Sequence, residues 1–194
     1  LCRVLGIYTV PVDYIAGIRV QFQPVRSLPR SLDSQPTFNS NSPELFQTEG
    51  ILLSTFPPNG KQVPSAHLNF PFSGKFDLFT HHLTRRDNAS DRRTFYQRIL
   101  LHNPNAKKVA IEVLSAASYL GNPEAPFIEL AQKIENAENK TYSGPGSRTS
   151  GDTLLGRRLR ELPDKIEIAP QQYFLLLNLP IPVPTAPASN GRPT

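Results

Sequence analysis

The 194-residue sequence contains no methionine, no tryptophan and only one cysteine, Cys2. A single cysteine cannot form an internal disulfide, which excludes the disulfide-stapled fold of many small secreted domains. So few cysteines fit a bacterial envelope or cytosolic protein better than a secreted animal domain. Because natural chains start with methionine and this one starts with Leu1, we expect that its beginning has been cut or processed.

Long hydrophobic runs are also missing. The first 20 residues are apolar in places, but Pro11 and Asp13 interrupt them, and the run is too short to cross a bilayer as a helix. We therefore predict an irregular N-terminal segment over residues 1–20 and no transmembrane segment. The tail of an export signal is the alternative for this segment, although no small-residue cleavage site stands out.

Proline, by contrast, is abundant, with 20 residues in the chain. Proline is excluded from helix interiors and central strands, so this number favours many short segments joined by turns and excludes long helical bundles. We predict a mainly β fold, an antiparallel sandwich of immunoglobulin-like or related type with one short helix and long loops. The prediction places a single β-rich domain at residues 21–183, incomplete at its C-terminus, and a Pro/Ser-rich tail at residues 184–194.

Residues 68–80 show the two-residue alternation of β-strands on both sides of a short Gly-containing loop. A three-residue loop would pair Phe72 with Phe76 and Phe70 with Leu78, which places these apolar side chains on one face. We predict an antiparallel hairpin whose aromatic face is buried in the core.

A second hairpin is predicted from residues 95–101 and 109–113, which also alternate. Residues 123–140 have apolar side chains near helical spacing and a proline suited to a first turn, so the single helix is predicted there. The Gly/Ser-rich residues 141–158 predict a loop, and two further strands are predicted around residues 169–171. In the second hairpin, one side of the strand at residues 95–101 is predicted to carry Phe95, Gln97, Ile99 and Leu101.

Three side chains suited to metal binding come together in the first predicted hairpin. In that register His67 and His81 are cross-strand partners on the outer face, and Asp77 lies on the same side. Imidazoles and carboxylates bind zinc and copper, so these residues form a candidate metal site. The alternative is that they are surface side chains of a solvated sheet. His82 leaves the strand on the opposite side, and we expect it to be hydrogen-bonded and buried or at the core boundary.

Arginine carries most of the net charge of +5, with 14 arginines against seven lysines. Such an excess favours anionic partners, and the planar guanidinium suits phosphate, sulfate and carboxylate groups. Local salt bridges with Asp87 and Asp91 are the alternative use, and the composition of the segment favours them over a dedicated binding patch. Nucleic acid is a less favoured partner, because aromatic residues do not alternate with the arginines. The candidate anion-binding residues form two clusters in the sequence, the first with Arg85, Arg86, Arg92 and Arg93 and the second with Arg157 and Arg158.

No catalytic motif stands out in the sequence. The Gly-rich residues 143–152 lack the G-x-x-x-x-G-K-[ST] pattern of a phosphate-binding loop, and G-x-S-x-G and H-E-x-x-H are missing as well. We therefore predict no catalytic residues and no cofactor, and a binding or structural protein rather than an enzyme.

Several long segments resemble one uncharacterised cyanobacterial family, domain of unknown function 3370. They are "SLDSQPTFNSNSPELFQTEGILLSTFPPNGKQVPSAHLNFPFSGKFDLFTHHL", "RILLHNPNAKKVAIEVLSAASYL", "GPGSRTSGDTLLGRR" and "LLLNLPIPV". The resemblance runs from Val25 to Arg192. It implies export to the periplasm or beyond, and an N-terminal portion of a longer protein. It implies no activity and no site residues.

These observations favour a periplasmic or extracellular protein that serves as a binding or structural module of the cell envelope. Its expected partner is an anionic polysaccharide or another envelope component, contacted through the arginine loops. The alternative function is a carbohydrate-active hydrolase or lyase whose site is completed by the missing C-terminal part. DNA binding is less favoured, and a steep salt dependence would be its signature.

Overall fold

The computed structural model describes residues 35–184 and the backbone of residues 190–191. Contacts within the chain separate residues 1–34 from residues 35–194, and all the strands and the helix named below belong to the second unit. The predicted irregular segment 1–20 and nearly all of the predicted tail lie outside the described residues. The predicted domain boundaries therefore stay predictions.

Short strands make up most of the regular structure in the described part of the chain, with one α-helix and a 3-10 turn at Pro64–Ala66. The predicted mainly β class with one short helix is confirmed. No helix in these residues is both long and apolar enough to span a bilayer. The elements are β1 (Thr37–Ser40), β2 (Leu45–Phe46), β3 (Asp77–Thr80), β4 (Leu83–Thr84), β5 (Thr94–His102), β6 (Val109–Glu112), α1 (Pro145–Leu154), β7 (Lys165–Ile168), β8 (Tyr173–Pro182) and β9 (Asn190–Gly191).

These strands form four small sheets within residues 35–184 and 190–191. β1 pairs with β3 and β2 pairs with β4, both in parallel, while β4 pairs with β9 antiparallel. β5 pairs with β8 and β6 with β7, both antiparallel. The pairing is therefore mixed rather than purely antiparallel, and the sandwich arrangement stays a prediction.

The first predicted hairpin is wrong. β3 pairs with β1, so that Leu78 lies opposite Phe38 and not opposite Phe70. The segment that should have formed the partner strand contains Pro71, which cannot donate a ladder hydrogen bond. It also contains Asn69, whose φ of 51° leaves the extended region. Two-residue alternation predicted the strand at β3, but it could not identify the partner.

The aromatic side chains of the same segment do come together. The ring centroid of Phe72 lies 6.0 Å from that of Phe38, 5.1 Å from that of Phe70 and 5.2 Å from that of Phe76. Phe70 is half exposed. The four rings therefore form a cluster, but the aromatic face is not wholly buried as predicted.

The second predicted hairpin is correct in its strands and wrong in its pairing. β5 pairs with β8, with Ile99 opposite Leu177, and β6 pairs with β7, with Ile111 opposite Ile166. The loop between β5 and β6 lies opposite the loop between β7 and β8. The two pairs are therefore successive parts of one antiparallel ribbon. The two strands predicted around residues 169–171 are confirmed as β7 and β8.

Asn103 joins the two loops of this ribbon. It is 2% exposed, and its side-chain amide donates hydrogen bonds to the carbonyl of Lys107 at 2.8 Å and to that of Ile168 at 3.0 Å. The first carbonyl belongs to its own loop, and the second ends β7 on the opposite side. One buried amide thus satisfies backbone acceptors from both sides of the ribbon, as buried polar groups require.

The core lies under the inner face of β5 and β8. Ile99 and Leu177 are buried opposite each other and pack together with Leu162. Ile181 is fully buried on the same strand. Each such side chain contributes about 1.5–3 kcal/mol through removal of apolar surface from water. The inner side of β5 consists of the four residues that alternation predicted to share a side, Phe95, Gln97, Ile99 and Leu101.

The prediction of a helix over residues 123–140 is wrong. That segment consists of turns and irregular chain, and Phe127, which helical spacing would have buried, is 80% exposed. The helix is α1, inside the Gly/Ser-rich segment predicted as a loop. Pro145 fills its first turn, where the missing N–H of proline costs nothing. Its inner side is held by the buried Asp152, whose contacts come from distant parts of the chain.

Candidate functional site

The outer face of β5 and β8 carries a row of exposed aromatic, apolar and polar side chains. Residues two apart on a strand share a face with their cross-strand partners, and a register shift after Ile99 keeps both strands in phase. Exposure alternates in the same way along both strands. We call this set the ribbon face: Tyr96, Arg98, Leu100 and His102 on β5, and Tyr173, Leu175, Asn178 and Pro180 on β8.

Aromatic rings lie at both ends of the ribbon face. At one end the His102 ring stacks on Tyr173, with centroids 4.3 Å apart and 24° between the planes, and Phe56 packs beside His102 at 5.6 Å. At the other end lies Tyr96. Tyr173 is 55% exposed and Tyr96 is 51% exposed. Flat apolar surface is therefore open to solvent at both ends.

Arg98 lies between these rings. Its guanidinium carbon is 5.8 Å from the centroid of the Tyr96 ring, and its Nε donates a 2.9 Å hydrogen bond to Oδ1 of Asn178. Within residues 35–184 no carboxylate lies within ion-pair distance of Arg98. The two contacts orient the planar group, and neither of them neutralises its positive charge. Arg98 was not among the predicted anion-binding residues.

Two arginines of the first predicted cluster, Arg92 and Arg93, form hydrogen bonds or ion pairs within their own loop. Nη2 of Arg93 lies 2.9 Å from a carboxylate oxygen of Asp91 and also contacts Asp87. The hydrogen bonds from Arg93 hold the pKa of Asp91 well below its usual range. Nη1 of Arg92 donates to the carbonyl of Ala89 at 2.8 Å. Local salt bridges, the alternative use of these arginines, are therefore confirmed for Arg93.

The remaining two residues of that cluster have different surroundings. Arg85 is exposed, whereas Arg86 is half-buried and its Nε has no hydrogen-bond partner in the described residues. Both precede Arg93, whose carbonyl accepts a 3.0 Å hydrogen bond from the backbone N–H of Val183, just after β8. The loop thus adjoins the end of the ribbon where Thr94 lies opposite the end of β8.

The second predicted cluster lies elsewhere. Arg157 forms an ion pair with Asp152, and Nη1 of Arg158 donates to the carbonyl of Val113 at 3.3 Å. A backbone bridge joins Arg158 to Ala116, beyond β6 and β7. The two clusters therefore lie near opposite ends of the ribbon formed by β5, β6, β7 and β8. The structure does not bring them together into one site.

The three predicted metal ligands are not grouped. The backbone of His67 is bridged to that of Ser54, and β3 pairs with β1. The hairpin register that paired His67 with His81 is therefore wrong. Nδ1 of His81 lies 3.1 Å from Oδ1 of Asn41, and Asp77 is an exposed residue at the start of β3. Across residues 35–184, no three or more His, Cys, Asp or Glu side chains form a cluster that could hold a metal ion.

Comparison with known proteins adds the family. The sequence model of the family described as protein of unknown function (DUF3370) matches residues 23–194. The chain belongs to this family. No curated protein and no solved structure matches it. The family predicted from the four sequence segments is thus confirmed, and the candidate site of this DUF3370 chain rests on its own geometry.

Asp152 is the centre of a buried network in this DUF3370 protein. It is 4% exposed. Its carboxylate accepts hydrogen bonds from the Tyr119 hydroxyl at 2.5 Å, from the Asn139 amide at 3.0 Å and from Arg157. Burial opposes ionisation, but these three donors outweigh it and hold the pKa of Asp152 below its ordinary value. The network fastens α1 to two distant loops.

Arg148 completes this arrangement from the first half of α1. Its guanidinium carbon lies 4.0 Å from the centroid of the Tyr119 ring and 4.8 Å from that of Tyr142. Nη1 donates a hydrogen bond to the carbonyl of Glu124. A cation held by two rings and a carbonyl is used for packing. We therefore assign this network to the stability of the DUF3370 fold and not to ligand binding.

His82 is buried, as predicted, with 2% of the residue exposed. Its Nδ1 lies 3.0 Å from the carbonyl oxygen of Pro43, and its Nε2 lies 2.9 Å from Oγ of Ser40. A carbonyl oxygen can only accept, so Nδ1 carries the proton and Nε2 accepts from the serine hydroxyl. Burial lowers the pKa of His82, and the neighbouring His81 lowers it further.

We expect the stability of the protein to fall as the pH falls below about 6.5, the ordinary pKa of histidine. Below that pH the unfolded chain takes up a proton at His82, whereas the folded chain resists it, so protonation favours unfolding. Urea unfolding between about pH 7.5 and pH 5.5 measures the slope. His82→Gln should flatten it, and His81→Gln should leave most of it. An unchanged slope in His82→Gln would contradict the assignment.

Proposed function

We propose that this DUF3370 protein is a binding module of the cell envelope, outside the cytoplasm, that holds an acidic polysaccharide on the ribbon face. The observation that carries the proposal is Arg98, a positioned cation between exposed tyrosine rings, for which the described residues provide no carboxylate partner. The extracytoplasmic location is supported by the resemblance to an exported family.

The chemistry of the ribbon face suits sugar rings that carry acidic groups. The C–H faces of a sugar pack on flat aromatic side chains, which combine apolar area with a polar edge. Tyr96 and Tyr173 offer such surfaces. The Arg98 fork can pair with a carboxylate or sulfate. Asn178, already bonded to Arg98, retains an amide nitrogen that can donate to a hydroxyl.

The length of the ribbon face favours a polymer over a small ligand. His102 lies six positions after Tyr96, which corresponds to about 20 Å along a strand. Small ligands usually bind in concave pockets that bury most of their surface, and this face is an exposed sheet surface. An extended chain that lies along the strands can reach the rings at both ends and the cation between them.

The charge of the protein supports an acidic rather than a neutral ligand. The net charge is +5, and a positive surface draws anionic polymers by long-range attraction. The loop that contains Arg85 and Arg86 adjoins one end of the ribbon, so these two predicted residues can extend the contact to a longer chain. We propose that the sheets pack as layers of a sandwich, in which the buried inner face keeps the outer face rigid.

Affinity electrophoresis on polygalacturonate and alginate, with dextran as the neutral comparison, tests the proposal. The wild-type protein should be retarded by the acidic polymers, and added salt should reduce the retardation. Tyr96→Ala with Tyr173→Ala should weaken binding by about tenfold or more, because two exposed stacking surfaces are lost. Arg98→Gln should remove most of the salt dependence.

Lys133→Gln is the control, since it removes one exposed positive charge away from the ribbon face. Retardation that falls equally in Lys133→Gln and Arg98→Gln would show that net charge alone acts, which contradicts the proposal. Equal binding of dextran would also contradict it. Release of new reducing ends from either acidic polymer would favour the alternative of a carbohydrate-active hydrolase or lyase.

A further inference from the structure

A groove of about 620 Å³ lies beside the end of β1. One wall consists of residues 39–43, which end β1 and follow it. The other walls consist of residues 51–53 and of residues at the 3-10 turn, including Val63. The lining thus combines polar residues with aliphatic ones. Ser40 belongs to its lining and is 5% exposed.

Ser40 has the partner that a nucleophile needs. Its Oγ lies 2.9 Å from Nε2 of His82, and Nδ1 of His82 lies 3.0 Å from the carbonyl oxygen of Pro43. The carbonyl holds the imidazole in the tautomer whose Nε2 is unprotonated. Serine, histidine and an orienting acceptor within hydrogen-bond reach form the arrangement of nucleophilic catalysis.

We propose that Ser40 and His82 form a nucleophile–base pair that hydrolyses short-chain acyl esters in this groove. The inference is independent of polysaccharide binding on the ribbon face. The recessed serine admits a small acyl group rather than a bulky one. Aliphatic side chains such as Ile51 and Val63 give that group an apolar wall, and the alcohol part of the ester extends toward solvent.

The reaction proceeds in two balanced steps. Nε2 of His82 takes the hydroxyl proton as Oγ of Ser40 attacks the ester carbonyl carbon. The bond between that carbon and the alcohol oxygen breaks, and the leaving oxygen takes the proton from Nε2. Water then attacks the acyl-serine with His82 again as base, and the carboxylic acid leaves as Oγ regains its proton. No metal, oxidant or further reactant is needed.

Sequence patterns could not find this pair. Ser40 stands in "TFNSNSP", which lacks the G-x-S-x-G context of hydrolase serines. His82 is 42 residues away, and the two meet because β1 and β3 pair in parallel, with Ser40 opposite Thr80. The parallel register places the serine beside the residues that follow β3.

Labelling with diisopropyl fluorophosphate, followed by peptide mass mapping, tests the proposal on the intact protein at neutral pH. The expected result is one modified serine, Ser40. Hydrolysis of p-nitrophenyl acetate should fall to the buffer rate in Ser40→Ala, and by about 100-fold or more in His82→Gln, which removes the base. Ser73→Ala, an exposed serine outside the groove, should label and hydrolyse like the wild type.

The label on the wild-type protein decides the matter even where a variant fails to fold. Absence of label from Ser40 in the folded protein, or label at other serines alone, would overturn the proposal. Ester hydrolysis that is as fast in folded Ser40→Ala as in the wild type would overturn it as well. Circular dichroism of each variant shows which of them are folded.

Discussion

Asp152→Ala is expected to lower the free energy of unfolding by about 3 kcal/mol, because it removes the acceptor at the centre of a buried charged network. The Tyr119 hydroxyl and the Asn139 amide would each lose a partner, and Arg157 would lose its ion pair. Unpaired buried donors cost more than the bonds themselves contribute. Equilibrium unfolding in urea, monitored by circular dichroism at neutral pH, measures the change.

Asp164→Ala is the matched control for this loss. Asp164 is exposed, and its side chain forms no hydrogen bond in the described residues, so its removal should change stability by less than about 0.5 kcal/mol. The pKa of Asp152 lies below its ordinary value, so its stabilisation is complete above about pH 4 and decreases as the pH falls further. The difference between wild type and Asp152→Ala should therefore narrow in acid. If Asp152→Ala and Asp164→Ala were equally stable at neutral pH, the buried network would not be what stabilises α1.

Gly151→Ala is expected to destabilise the protein by about 2 kcal/mol, although alanine is the better helix former. A Cβ at this position would overlap the side chain of Asn139. That side chain cannot move freely, because its amide donates to the carbonyl of Arg148 at 2.8 Å and to Asp152 at 3.0 Å. The new methyl group must therefore break these bonds or displace the helix. Urea unfolding again gives the measurement.

Gly146→Ala provides a control in the same helix with the opposite sign. Nothing lies within 4 Å of a Cβ at Gly146, so the change should stabilise the protein by about 0.5 kcal/mol through helix propensity. In an Asn139→Gly background the cost of Gly151→Ala should shrink, since glycine also accepts the φ of 50° found at Asn139 and removes the obstacle. A Gly151→Ala variant as stable as Gly146→Ala would refute the close contact.

Local pattern predicted the strands and their buried sides well. The alternation along β5 identified Phe95, Gln97 and Ile99 as one side, and that side faces the core. The same principle placed His82 away from solvent. These predictions succeeded because the side of a strand on which a residue lies depends only on its immediate neighbours in sequence.

Strand partners and the position of the helix were predicted wrongly, for a different physical reason. The partner of Ile99 is Leu177, far along the chain, and not the next alternating segment. The helix at Pro145–Leu154 contains two glycines and has weak intrinsic propensity. Its stability comes from Asp152 and Arg148, whose partners lie in other segments. Residues 123–140 have the better spacing, but no surface covers their apolar side.

The candidate sites follow the same division. The arginines of the predicted first cluster were identified from composition, but composition could not show that Arg93 is paired with Asp87 and Asp91 while Arg98 has no carboxylate partner in the described residues. Which guanidinium remains available depends on three-dimensional neighbours within a few ångströms. The predicted metal site at His67, His81 and Asp77 depended on a register, and so lost its basis when the strand pairing proved different.

The sequence by itself determined the mainly β class, the family, the inward side of β5 and the burial of His82, because each of these depends on residue types and their spacing over a few positions. Only the tertiary structure decided that β5 pairs with β8, that α1 forms in a Gly/Ser-rich segment, and that Ser40 meets His82. Each of these results requires residues tens of positions apart to bury surface or satisfy hydrogen bonds together. Local spacing carries no information about that choice of partner.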